Sequence, residues 1–439
     1  MKKRVLLFAR SFLTKYYGDI KSDVLEPIFV TLTSQERDYL VSKGWKVYGC
    51  FEEEYDELPV ANFNGGYLRT SLSSDRFLQR YDHAKRLEIL GKEISFWNKI
   101  LDETNPVFLV NETVAVEIAE VMAIEAEKRG IPFYTYLLGF LPNTFYWKPD
   151  PFSGRLQDMK SIVPTADNLN EAEKYINNVR EKQQRPFYVS GIKKDNNKIK
   201  SFLHSYKKYL LSKKKNIKKK SSGHFKYEDY KIFSKINFEI KKASLFNKYD
   251  NLEGIDNKGI IFFPLHLEPE ATLNYFVEEN FDQESIISLL TGCIKNNQVL
   301  VIKEHPQQQG MLMTKRFQAL KQRFSNLFYL PSYISSFEIL KKCDAVVTLT
   351  STAAWEALIY EKPVFVLGRI FFDQCPGAIR IDNLKQLKRE LNKEVYTLPN
   401  VEDVKLFAAK MISLFHRGCP TPTYKDNTIV DFVTEMEKL

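Results

Sequence analysis

Three short stretches of the chain carry polar groups suited to handling a phosphorylated leaving group. Lys303-x-His305-Pro306 sets a cation and an imidazole two residues apart. Thr350-Ser351-Thr352 offers three consecutive hydroxyls, with Glu356 four residues beyond Thr352. Leu265-His266-Leu267-Glu268-Pro269-Glu270 adds a second histidine and two carboxylates. Ammonium and N–H donors can offset phosphate charge. Hydroxyls can cap a helix whose positive end favours an anion. A carboxylate one helical turn deeper could accept both hydroxyls of a ribose. Each stretch alone has a plainer reading, as a packed strand-end histidine or an ordinary turn with a surface glutamate. Three of them converging on one sheet edge would make a pocket for a nucleoside mono- or diphosphate.

The elements around these stretches make that convergence an expectation. Each stretch follows an apolar run that reads as a buried strand: Ile260–Pro264, Val299–Ile302 and Ala345–Leu349. Residues 353–359 read as a helix, ended by Lys362-Pro363 before the further strand Val364–Leu367. Residues 282–295 read as another helix, and 327–329 as another strand. The first third of the chain repeats the pattern, with strands at 5–9, 29–33, 47–51, 107–110 and 133–137 and helical stretches at 75–104 and 115–128. Alternation of this kind implies doubly wound parallel sheets, whose ligands lie beyond the carboxyl ends of the strands. Arg10, Ser11, Asn111 and Glu112 fall at such ends, as does the loop 139–144 with Asn143.

At 439 residues the chain has room for two or three domains. Its formal charge is +9, placed unevenly. Between Lys193 and Lys242 seventeen lysines face four acids, a local net of +13, which leaves the remainder near −4. Six of the eight residues of Lys213–Lys220 are lysine, either a solvated helical linker or a patch for an anionic membrane or polymer. No groove-reading module accompanies the charge, so nucleic acid is not the expected partner. The five cysteines (50, 293, 343, 375, 419) lack metal-ligand spacing and point to a reducing cytoplasm. No apolar run approaches the ~18 residues of a membrane span, and the run in MKKRVLLFAR stops too soon for a secretion signal. A glycine-rich dinucleotide fingerprint, a P-loop and an HExxH motif are all missing, so neither cofactor nor metal is expected.

VIKEHP at 301–306, FFPLHLEPEATL at 262–273, the stretch 343–368 and GFLPNT at 139–144 together resemble the bacterial capsule polysaccharide biosynthesis family, which includes the Kdo transferases of capsule assembly. The likeness spans roughly 100–150 and 255–370 and is loosest over 150–255. It implies an α/β GT-B fold, two Rossmann-like domains facing a cleft, joined by a lysine-rich helical segment. The expected divisions are an acceptor domain (1–150), the basic connection (151–258), a nucleotide-sugar domain (259–400) and a helical tail (401–439). His-Pro sites of this type are similar to those of bacterial sialyltransferases and CDP-glycerol phosphotransferases, where they hold the cytidylate phosphate, which implies a CMP-linked donor.

The reading is therefore a cytoplasmic, metal-independent glycosyltransferase acting on a lipid-linked or oligosaccharide acceptor in capsule synthesis, with peripheral placement at the inner face of the plasma membrane left open. Lys303 and His305 would stabilise the departing phosphate, aided by Ser351 and Thr352. Pro306, His266, Thr350 and Glu356 join them at the donor, with Glu268 or Glu270 meeting base or sugar. Glu112 is the candidate base, with Asp19 second, and Arg10, Ser11, Asp19, Asn111 and Asn143 are the acceptor-side candidates. Open alternatives are a sugar-nucleotide 2-epimerase, a CDP-glycerol-type phosphotransferase and a non-catalytic assembly component.

Overall fold

The computed structural model describes residues 2–64, 78, 81–148, 150–186, 197–215, 230–246, 248–255, 258–268, 270–277, 282–418 and 428–439. The chain forms two compact α/β units. One takes residues through Gly154 together with Leu414–Leu439; the other takes Arg155–Lys214 and Lys231–Ser413. The Lys213–Lys220 block therefore falls largely outside the described residues. Residues 401–439 are shared, with the Val401–Ile412 helix in the second unit and Thr428–Glu437 in the first.

The first unit is built on β1 (Lys3–Phe8), β2 (Leu25–Thr31), β3 (Val47–Cys50), β4 (Phe108–Glu112), β5 (Phe133–Leu138) and β6 (Thr144–Lys148). The order β5-β4-β1-β2-β3 is parallel throughout. β1 is apolar from Val5 to Phe8 and buried there, as a strand covered on both faces must be. Trp97 of the His83–Thr104 helix meets Phe8 edge-on at 5.3 Å, which fixes that helix on the sheet. Chain order runs outward from β1 to β3 and then resumes at β4 on the other flank of β1. The carboxyl ends of β1 and β4 thus bound a topological switch point.

GFLPNT follows the strand it was expected to follow, but the chain turns straight back there. It makes the turn of an antiparallel hairpin between β5 and β6. The Gly139 N–H bonds the Thr144 carbonyl at 2.9 Å. A Cβ on Gly139 would come within 2.3 Å of the Thr144 hydroxyl, and Asn143 takes a left-handed φ of 54°. His416–Arg417, read from sequence as part of a helical tail, instead pairs antiparallel with β6.

The second unit is built on β7 (Gly259–Pro264), β8 (Gln298–Lys303), β9 (Leu327–Leu330), β10 (Ala345–Thr348), β11 (Val364–Val366) and β12 (Ala378–Arg380). These form one parallel sheet in the order β12-β11-β10-β7-β8-β9. Its switch point lies between β7 and β10. β8 is buried at every position, and its side chains join those of β7 and β10 in one apolar core. Among the described residues, no helix is long and apolar enough to cross a membrane.

Candidate functional site

The three polar loops of the second unit are cross-linked at the switch point. His266 follows β7 and is buried, and its Nε2 accepts the backbone N–H of Thr350, just past β10, at 3.0 Å. Its Nδ1 lies 3.4 Å from Gln283 Oε1, which also accepts the His266 backbone N–H at 2.6 Å. An acceptor Nε2 puts the ring proton on Nδ1. Burial lowers the His266 pKa to about 3, so the ring stays neutral and serves to position the hydroxyl turn. A second clamp comes from Gln308, whose amide nitrogen donates to the Glu268 carbonyl and whose amide oxygen accepts the Glu268 N–H. His266 therefore joins the loops after β7 and β10, and Gln308 joins those after β7 and β8.

Lys303 is the last residue of β8 and is buried at the centre of this arrangement. Its charge acts on both His305 and Glu356. Burial, then Lys303, lowers the His305 pKa to about 4. His305 Nδ1 accepts the Gln307 N–H at 3.2 Å, so Nε2 carries the proton and is the ring's donor. Burial raises the Glu356 carboxyl to about 7 against the opposing pull of Arg185 and Lys303. Thr350 presents a buried hydroxyl with no partner among the described residues.

The helix that carries Glu356, Ala353–Ile359, is capped by Ser351, whose hydroxyl accepts the Ala353 N–H at 3.3 Å. Thr352 makes no side-chain cap. Gly368 lies against this turn, where a Cβ would press within 2.6 Å of the Thr350 methyl.

Of the remaining donor candidates, Pro306 follows His305 in the same loop. Glu268 is held by Gln283 at 2.7 Å and by Arg316 at 2.5 Å, and Glu270 is the residue before the Ala271–Tyr275 helix. The Glu268 carboxylate is thereby engaged in supporting its own loop.

Glu304 is a participant that sequence reading passed over. Its buried carboxylate accepts the N–H groups of Gly310 and Leu312 at 2.9 and 3.1 Å and the Tyr249 hydroxyl at 2.8 Å, holding the loop that presents His305. Beside it lies a cavity of about 520 Å³, lined also by Lys198, Lys241, Ser332 and Tyr333. Gln283, Gln308, Tyr249 and Arg185 carry no local motif. Only the strand-end position of the Gln308 loop could have drawn attention to any of them.

In the first unit Arg10, Asn111 and Glu112 border one small hollow at the β1–β4 switch point. The Asn111 side-chain oxygen is buried there with no partner among the described residues. Ser11 takes a left-handed φ of 57°, and its N–H is drawn to Glu36 Oε1 at 2.6 Å. Glu36 also accepts the N–H groups of Leu32 and Thr33, tying the turns after β1 and β2 together. Lys148, another residue passed over, donates from a buried position to Thr113 Oγ1 and the Ser153 carbonyl, both at 2.7 Å. Burial lowers its pKa to about 7. Asn143 lies in the β5–β6 turn. Asp19 lies elsewhere, between the Phe12–Tyr17 helix and β2, at the amino edge of the sheet and paired with Lys43 at 3.0 Å. Among the described residues no acid, histidine and cysteine cluster could hold a metal ion.

The profile of a family described as "Capsule polysaccharide biosynthesis protein" matches residues 121–417, well over half of the chain. No curated protein matches the sequence. Among solved structures, the chain is similar to Thermosulfurimonas dismutans KpsC, beta Kdo 2,4 transferase, at 12% identity and TM-score 0.42, over 76% of this chain and 87% of that one. The beta Kdo 2,7 transferase structure of the same KpsC gives 15% identity and TM-score 0.35, over 77% and 88%. UDP-GlcNAc 2-epimerase from Methanocaldococcus jannaschii, in complex with UDP-GlcNAc and UDP, gives 12% identity and TM-score 0.28, over 94% and 100%. Likenesses this distant transfer neither substrate nor mechanism.

Proposed function

The chain belongs to the capsule polysaccharide biosynthesis protein family, and from that premise we propose that it is a glycosyltransferase using a CMP-linked sugar donor bound by its second unit. One observation carries the reading: His266 and Gln308 cross-link three strand-end loops, and Lys303 acts on His305 and Glu356 from their midst. The clustered groups match a nucleoside monophosphate as leaving group. The Lys303 ammonium, the His305 Nε2–H and the unpartnered Thr350 hydroxyl are donors for phosphate oxygens. Glu356 is the acceptor for ribose hydroxyls, and the cavity beside Glu304 has room for a base.

In the transfer step the acceptor hydroxyl oxygen bonds to the anomeric carbon as the bond from that carbon to the phosphate oxygen breaks. The electron pair leaves with the nucleotide, where Lys303 and His305 offset its charge. The acceptor is a lipid-linked or oligosaccharide hydroxyl, and Glu112 is the carboxylate assigned to take its proton. The donor phosphate is met by protein cations and N–H groups, so the step needs no metal ion.

Isothermal calorimetry with CMP, CDP, UDP and GDP, followed by a transfer assay, tests this. Preferred binding of CMP is the expected result. Preference for UDP with release of nucleotide and no acceptor would favour an epimerase, and absence of binding by all four would favour a non-catalytic component.

A further inference from the structure

The Lys198–Lys215 helix packs one face and leaves another bare. Ser205 and Ser212 are buried, and the rings of Phe202 and Tyr209 lie on Phe238 of the Tyr230–Phe246 helix at 5.7 and 5.4 Å. Beside that packed face, Ile199 is 66% exposed, Leu203 56% and Leu210 41%, while Tyr206, 43% exposed, borders it with its ring also 5.4 Å from Phe238. Their spacing of four, three and four residues lines them up in one narrow strip along the helix. Lys198, Lys200, Lys207 and Lys208 are exposed as well, and the eighteen residues hold seven lysines and no acid.

An ordinary solvated helix would turn polar side chains outward. This one turns outward an apolar strip accompanied by cations, with no carboxylate on the helix to neutralise them. Such a surface suits the boundary of an anionic bilayer, where apolar side chains enter the acyl region and ammonium groups reach lipid phosphates. A second copy of the chain would set the same unneutralised lysines against each other. A nucleic acid would satisfy the lysines but leave the apolar strip without a partner. With seven lysines in eighteen residues the helix is not apolar enough to span a membrane, so contact would be lateral.

We propose that the exposed strip Ile199, Leu203, Tyr206 and Leu210, with Lys200, Lys207 and Lys208, docks the protein on a bilayer containing anionic lipid. This surface is separate from the residues assigned to the donor, and it does not depend on the transferase reading. It would bring the chain to the place where a lipid-linked acceptor resides.

The test is sedimentation of the full chain with vesicles of phosphatidylcholine alone and of phosphatidylcholine with phosphatidylglycerol, at low and high salt. The parent is expected to sediment with the anionic vesicles at low salt and to be released in part by added salt. Ile199→Ser/Leu203→Ser/Leu210→Ser should lower its partition by roughly tenfold or more at either salt, since several buried apolar side chains are lost. Lys200→Gln/Lys207→Gln/Lys208→Gln should weaken binding mainly at low salt. All three positions of the serine variant are exposed, so its melting temperature should match the parent's. A parent that stays in the supernatant with anionic vesicles would overturn the proposal, as would a serine variant that binds like the parent. Loss of a dimer in the serine variant by light scattering, without vesicle binding by the parent, would assign the strip to a second copy instead.

Discussion

At Glu356 burial raises the carboxyl from its ordinary 4.5 to about 7, and Arg185 and Lys303 only partly oppose it. A raised folded value favours folding while the group is protonated, and that contribution is lost as pH climbs through the folded value. Glu356→Gln should therefore gain stability relative to the parent as pH rises from about 4.5 to about 7, reaching on the order of 3 kcal/mol above that. The same variant should raise the donor KM, because an amide is a poorer acceptor for ribose hydroxyls. Urea melts at pH 5 and 8, read beside donor kinetics, check both. A variant stabilised at alkaline pH with unchanged donor affinity would make Glu356 a buried charge unrelated to the donor.

His305, held near 4 by burial and Lys303, is neutral through the physiological range. It should act as an N–H donor and contribute no titration to activity between pH 6 and 9. His305→Ala should lower kcat by roughly 100-fold to 1,000-fold, and His305→Asn, which keeps an N–H, should recover part of that. Equal losses in the two variants would count against the donor role.

Among the elements, what matters is how strand-end loops are held once a parallel sheet has brought them to one edge. Gln308 pairs with both the N–H and the C=O of Glu268. Gln308→Ala should leave those two groups to water or unmade, at about 1–3 kcal/mol. It should also weaken CMP binding in calorimetry, although the substitution removes no charge. Glu36 plays the corresponding part in the first unit by accepting three backbone N–H groups from two turns. Glu36→Gln keeps one acceptor oxygen and turns an amide toward the remaining donors, so a drop in the urea midpoint is expected with CMP affinity unchanged. Were CMP affinity to fall with Glu36→Gln, the donor would not be confined to the second unit.

For the molecule as a whole, the donor assignment predicts where a ligand should be felt. Saturating CMP stabilises only the part that binds it, by about 2.7 kcal/mol at a hundredfold excess over Kd. Hydrogen exchange with CMP should slow at 265–268, 303–310 and 349–352 and stay unchanged in β1 to β6. Protection limited to the first unit would reverse the assignment.

Much of this architecture was legible from sequence. Strands buried on both faces need continuous apolar, β-branched runs, so 260–264, 299–302 and 345–349 announced themselves, and the polar residues behind each run marked the edge where a ligand could sit. What the tertiary structure decided depends on partners far apart along the chain. His266 reaches Thr350 across 84 residues and Gln308 reaches Glu268 across 40, and neither bond has a local signature. The same holds for Glu304, which sequence reading passed over between Lys303 and His305 and whose carboxylate holds a loop. The β5–β6 hairpin and the His416–Arg417 strand escaped for a related reason. An antiparallel partner is chosen by backbone hydrogen bonds that any side chain allows, so pairing becomes visible only when the sheet edge is in place.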